Sequence, residues 1–216
     1  KPAIRLNETT SAYFERLAGI SAPDAAARYR AVLNPATVDQ ADEYFLEHEP
    51  RHAAMLRTSA SPNISNAGYR INVIPSEARA TLDVRMLPEQ DPKDFLEQVK
   101  RVVDDPAIEV AFTARDVRPK GPITRLDSDP FKIVEQAVRD HYDAAVTLPT
   151  MSTGATDMAY LRAKGMQCYG IGPATDIEDG PKGFGAHSDQ ERILEAELHR
   201  FVRFHWDVVT KVAGRR

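Results

Sequence analysis

Apolar positions recur at helical spacing through roughly the first quarter of the chain. Tyr13, Phe14 and Leu17 share one face of a segment that Thr9 or Thr10 can cap. Pro23 suits the first turn of a second helix carrying Tyr29, Val32 and Leu33. Asn34-Pro35 then breaks the chain. Val38, Ala41, Tyr44 and Phe45 supply a third stripe, and a fourth short helix is predicted through Met55 and Leu56.

The period then shortens to two. Residues 68–75 read as a strand, with Tyr69, Ile71 and Val73 on one face and Arg70 and Asn72 on the other. Pro75-Ser76-Glu77 is a turn, and residues 78–86 alternate through Ala78, Ala80, Leu82, Val84 and Met86. Two such strands pair most simply as an antiparallel hairpin with one solvated face. Asp91-Pro92 opens a helix whose stripe is Phe95, Leu96, Val99, Val102 and Val103, and Ile108, Val110 and Phe112 mark a third strand. Strand, strand, helix, strand is the tail of a ferredoxin-like β-α-β-β-α-β unit whose first strand and helix are not evident.

Pro119–Pro122 reads as a linker, after which the texture is α/β. A helix is predicted from Pro130, a short strand over Ala145–Leu148, a helix over Gly154–Ala163 and a buried strand over Met166–Ile171. A long helix through Leu198, Phe201, Val202, Val208 and Val209 closes the chain. The fold class expected is α/β with an α+β first part, divided into residues 1–121 and 122–216.

Composition narrows the function. With 216 residues and a net charge of −4, the chain has no basic stripe to neutralise phosphates, so nucleic acid is not an expected partner. No apolar run reaches the length of a membrane span, and no signal-peptide pattern opens the chain. Lys1 stands where a start methionine would, which suggests a missing upstream segment. The single Cys168 excludes an internal disulfide and a multi-cysteine zinc site, and leaves the compartment open.

His48-Glu49-Pro50-Arg51-His52 matches H-E-x-x-H, a motif that requires both histidines on one face of a continuous helix. Pro50 removes a hydrogen bond and biases Glu49 away from helical geometry, so the string is expected to be a chance match. Gly170-Ile171-Gly172 and the glycines from Gly180 to Gly185 lack the spacing of a nucleotide-binding loop, and Ser152 lies in no G-x-S-x-G elbow. Ser188 and Glu191 form an S-x-x-E box, which places His187 at the start of a helix or helical turn, at the end of a glycine loop. A helix N-terminus would disfavour an imidazolium, and metal binds the neutral ring, so His187 is a candidate ligand.

Three strings together resemble one family. Gly68-Tyr69-Arg70-Ile71-Asn72-Val73-Ile74-Pro75-Ser76-Glu77-Ala78, followed by Leu82-Asp83-Val84-Arg85, resembles the lid-domain hairpin of the M20 peptidases, a family of aminoacylases, carboxypeptidases, carnosinases and desuccinylases. Met151-Ser152-Thr153-Gly154-Ala155-Thr156-Asp157 is similar to a second signature, and Gly183-Phe184-Gly185-Ala186-His187-Ser188 to a third. They occur in the family's order over residues 65–216.

The resemblance implies a ferredoxin-like lid and dimerisation domain, incomplete, over residues 1–121, and the C-terminal part of a zinc-peptidase α/β domain over residues 122–216. It implies hydrolysis of a peptide or N-acyl amino acid amide bond by water bridging two zinc ions, and a homodimer formed through the lid. His187 resembles the last zinc ligand, Asn72 the lid asparagine that holds substrate, and Gly154 the loop contacting the substrate carboxylate or amide. Arg118 lies where members of the family often place a carboxylate-binding arginine. The other metal ligands and the catalytic glutamate of the family precede its lid, so the chain is expected to need an N-terminal half, and no catalytic residue is assigned within it.

Overall fold

Four helices open the chain: α1 (Glu8–Ile20), α2 (Pro23–Val32), α3 (Val38–His48) and α4 (Pro50–Leu56). The computed structural model describes residues 1–113, 119, 121–154, 156–172 and 178–214. Asn7, rather than Thr9 or Thr10, caps α1. Its side chain accepts from the Thr10 N–H at 3.0 Å, and the Thr10 hydroxyl accepts from the Asn7 N–H at 2.9 Å. The amide oxygen thus completes a reciprocal capping box with the threonine that the sequence suggested as the cap itself. Pro23 occupies the first turn of α2, where its missing N–H costs nothing.

Phe14, Val32, Phe45 and Leu56, one from each helix, are fully buried together, and the Phe14 and Phe45 rings stack at 5.7 Å. Each such side chain removed from water stabilises the fold by about 1.5–3 kcal/mol. Asp42 is buried beside this core, where it takes the Arg57 guanidinium and, at 2.9 Å, the Lys1 ammonium.

Two strands follow, β1 (Ser59–Ala67) and β2 (Ala78–Arg85), antiparallel from Ser59↔Arg85 to Ala67↔Ala78. The first strand is not where alternation predicts it. Residues 68–75 form the connecting loop, with Tyr69, Ile71 and Ile74 exposed. Gly68 has φ +69, a left-handed conformation that ends β1 and turns the chain away from it. Pro62 and Ile64 flank a register shift in β1, a position that tolerates a proline lacking its N–H. The strand is held at its base by Thr58, 1% exposed. Its hydroxyl donates to Gln90 Oε1 and accepts from the Leu87 N–H at 3.1 Å. Pairing and this anchor, rather than a buried face, define β1.

Helix α5 (Pro92–Val103) is capped by Asp91, which accepts from the Lys93 N–H at 2.8 Å. Of its predicted stripe only Phe95 is buried, and Val102 is exposed. No third strand forms at Ile108, Val110 and Phe112, nor are there strands at Ala145–Leu148 or Met166–Ile171. Among the described residues β1 and β2 are the whole sheet. The fold is mixed helix and strand; strands expected from short apolar runs alone lack a neighbour with which to share backbone hydrogen bonds.

Contacts divide the chain into Lys1–Ile123 with Leu148–Met166, and Thr124–Thr147 with Gln167–Arg216. The first unit contains α1 to α5, the hairpin and the short α7 (Met158–Arg162). In the second, α6 (Asp129–His141) packs on α8 (Glu195–Ala213) through Val134, Ala137, Phe204 and Val208. Ser128 caps α6 by accepting from the Phe131 N–H at 3.2 Å. The Thr124 hydroxyl donates to the Cys168 carbonyl at 3.0 Å, tying together the two segments of this unit. No described helix is long and apolar enough to cross a membrane.

Candidate functional site

His187 stands in a glycine-rich loop whose shape follows from a few backbone constraints. Gly183 has φ +86, and a Cβ on Gly185 would meet the Gly180 Cα at 3.0 Å, so the loop closes on itself only because these positions lack side chains. His187 itself has φ +70 and is exposed. Histidine is among the non-glycine residues that enter this region, at a cost of about 1–2 kcal/mol.

Of the helix or helical turn expected at the S-x-x-E box, the structure has a turn, in which the Glu191 N–H donates to the Ser188 carbonyl at 3.1 Å. The Glu191 carboxylate accepts from the His187 N–H at 3.2 Å, and the Ser188 hydroxyl accepts from the Gln190 N–H at 3.2 Å. The helix, α8, begins only at Glu195.

The loop has an anchor that no motif announced. Arg192 donates to both oxygens of Asp179, at 2.7 Å from Nη2 and 3.2 Å from Nε. Its guanidinium lies 3.8 Å from the centre of the Phe184 ring. The Asp179 side chain is 7% exposed, and the hydrogen bond from Arg192 holds its carboxyl below the ordinary aspartate range.

The remaining predicted site residues belong to other segments of the chain. Asn72 is exposed in the β1–β2 loop rather than on the polar face of a strand. Gly154 is exposed at a bend, where its N–H donates to the Ser152 hydroxyl at 3.0 Å; Ser152 serves there as a loop brace. Asn72 and Gly154 belong to the first unit and His187 to the second. Arg118 lies outside the described residues. No group of three or more His, Cys, Asp or Glu able to hold a metal ion occurs among the described residues.

The H-E-x-x-H string is broken as Pro50 requires. Helix α3 ends at His48, Glu49 has φ −135 and ψ 61, and α4 starts at Pro50. His52 turns inward among Tyr13, Phe14, Tyr29 and Phe45, with ring centroids at 5.3–5.6 Å. Its Nε2 is 3.0 Å from the Tyr13 hydroxyl and its Nδ1 2.5 Å from Glu49 Oε2. The Tyr29 hydroxyl donates to the same carboxylate oxygen at 3.2 Å. Burial, and then Glu49, push the Tyr29 hydroxyl up to about 12, and Tyr13 is raised by the same two causes. Glu49 and His52 therefore form a satisfied polar link against the helical core, while His48 stays exposed.

Residues 15–111 match the family profile described as a peptidase dimerisation domain, of the M20 group. The chain is 30% identical over 112 residues to the probable carboxypeptidase S-like 2 of Dictyostelium discoideum, covering 52% of this chain and 21% of that protein. It is 30% identical over 179 residues to the Homo sapiens N-fatty-acyl-amino acid synthase/hydrolase PM20D1, covering 82% of this chain and 35% of the relative. Over 106 residues it is 30% identical to aminoacylase-1 of Dictyostelium discoideum, with 49% of this chain and 25% of that protein covered. The chain thus spans 21–35% of the length of these relatives. No solved structure matches it.

Proposed function

Because the chain belongs to the M20 peptidase family, we propose that it forms part of a zinc-dependent hydrolase that cleaves peptide or N-acyl amino acid amide bonds, in the manner of a carboxypeptidase or an aminoacylase. The observation that carries this reading is the agreement of two comparisons over the same part of the chain, one of which runs beyond it. Residues 15–111 match the dimerisation domain, and the similarity to the fatty-acyl-amino acid hydrolase extends over 179 residues. In this reading β1, β2 and α5 are this chain's share of a ferredoxin-like lid through which two copies associate. Asn72, Gly154 and Arg118 would meet the substrate.

The fit to zinc is partial. His187 is exposed, and its ring has no hydrogen-bond partner among the described residues, so it is free to serve as one ligand. A zinc site takes three or four protein ligands, and the described residues bring no such group together. The described residues do not by themselves fit the metal. What this chain contributes is a presented imidazole and two exposed loops that would bind and orient an amide substrate.

The test is His187→Ala in the whole protein, assayed on a panel of dipeptides and N-acyl amino acids. Loss of hydrolysis with retained folding is expected. Turnover at the native rate would sink the assignment.

A second reading is a non-catalytic dimerisation module. The matched profile is itself a dimerisation domain, and no ligand cluster accompanies it among the described residues. Zinc content and hydrolysis measured on the same purified native protein separate the two, since the module would have neither.

A further inference from the structure

The fourteen positions from Asp179 to Arg192 form a loop rich in glycine, the residue that loses most backbone freedom on ordering. Such a loop does not hold an apical side chain still unless its ends are fastened. Here they are fastened at three levels. The Phe184 N–H donates to the Asp179 carbonyl at 2.8 Å, and the Arg192 N–H to the Phe184 carbonyl at 3.4 Å. The Arg192 fork grips the nearly buried Asp179 carboxylate, and the guanidinium plane covers the Phe184 ring. From this closed base the Glu191 carboxylate, next to Arg192 in sequence, reaches back to the His187 N–H at 3.2 Å. The left-handed backbone of His187 is thus braced from the same side that the ion pair secures.

We infer that Asp179 and Arg192 are positioning residues for His187: their ion pair, stacked on Phe184, fixes the strained loop conformation in which that imidazole is presented. The inference rests on the functional reading above for what the imidazole does, and on the geometry alone for how it is held. Neither residue touches the substrate; both act through His187. Arginine suits the task because its rigid fork constrains orientation as well as distance, which a lysine ammonium does not. A charge-assisted pair with one buried partner also holds its geometry better than two exposed side chains would.

The experiment is backbone ¹⁵N relaxation on the full chain, native and with Arg192→Ala, Asp179→Asn or Arg192→Lys. The native His187 amide is expected to have a rigid order parameter of about 0.85, falling below about 0.6 in Arg192→Ala and Asp179→Asn. Arg192→Lys should fall between, and the amides of α8 should stay as in the native chain. Asp179→Asn keeps the shape of the side chain, so it decides the matter if Arg192→Ala folds poorly. A His187 amide as rigid in Asp179→Asn as in the native chain overturns the inference. So does loosening of α8 by the same amount, which would mark the pair as general support.

In the whole protein, Arg192→Ala should lower kcat several-fold with KM nearly unchanged when the rate is normalised to the folded fraction, whereas a loss of folded protein alone would leave that normalised rate at the native value. If His187→Ala hydrolyses normally while the order parameters change as expected, the functional reading fails and the positioning inference stands. The reverse pair of results rejects the inference and leaves the reading intact.

Discussion

At the scale of single residues, chemistry is decided by surroundings more than by residue type. His52 and His187 are both imidazoles in short strings that invite a metal, and the fold gives them opposite fates. His52 has both ring nitrogens occupied, by Tyr13 and Glu49, inside an aromatic enclosure, while His187 is held out from a loop. His52→Ala should therefore cost about 1–3 kcal/mol of stability, because it strands the Tyr13 hydroxyl and leaves the Glu49 carboxylate with the Tyr29 hydroxyl but without the imidazole, and should leave hydrolysis by the whole protein unchanged. Urea titration beside an activity assay checks both halves, and loss of activity without loss of stability would restore H-E-x-x-H as a site. The tyrosines add a pH signature. Tyr29 holds its proton more tightly in the folded state, up to about 12, than at its ordinary value of 10.0. Stability from this source is complete below about pH 10, and falls as pH rises toward 12, where the unfolded chain has released a proton that the folded chain retains. Tyr29→Phe should flatten that fall; equal slopes for native and variant between pH 9 and about 11.5 would contradict the assignment.

At the scale of elements, the sequence was legible wherever local physics decided the outcome. Helices α1 to α4 follow from apolar spacing, Pro23 and Pro50, and the break at Glu49 follows from the proline after it. Strand β1 was not legible. Ser59-Ala60-Ser61-Pro62-Asn63-Ile64-Ser65-Asn66-Ala67 shows no alternation, because neither of its faces is buried and its existence depends on β2 and on Thr58. Tyr69, Ile71 and Val73 show the converse: their alternation reads as a strand although Gly68 has already turned the chain into a loop. The string singles out His187 as a candidate but gives no sign of Asp179 and Arg192, since an ion pair across thirteen positions leaves no periodic trace. The same reasoning predicts where the hairpin is weakest. Thr58→Val keeps the volume but leaves the buried Leu87 N–H and the Gln90 side chain without their partner, at about 1–3 kcal/mol. Hydrogen exchange should show β1 and β2 opening together while the amides of α1 to α4 keep their protection. Uniform loss of protection across the helices would mean that Thr58 supports the core rather than the hairpin.

At the scale of the whole molecule, each unit leaves apolar surface open on an element that is otherwise well anchored. The hairpin exposes Ile64 and Leu82, and a two-stranded sheet is at best marginal without something packed on it. Helix α8 buries Phe204 and Val208 against α6, yet Leu198, Val202, Trp206 and Val209 form a second stripe that is exposed. Clustered exposure of this kind marks surfaces meant for protein. The matched dimerisation domain, residues 15–111, contains the hairpin and not α8, so association of copies should depend on the hairpin and respond little to changes in α8. Light scattering on the purified chain at tens of micromolar should therefore give twice the 24.0 kDa of one copy or more. Leu82→Arg should return it toward a single copy by placing an unpaired charge at the apolar contact. Trp206→Glu should leave the mass as it was, since that face lies outside the matched dimerisation domain. The chain alone should hydrolyse none of the amide substrates with zinc added, because the described residues supply no metal cluster. A monomeric native chain would remove the hairpin as the interface. Dissociation by Trp206→Glu alone would transfer that role to α8, and zinc-dependent turnover by the isolated chain would show that its own residues complete a site.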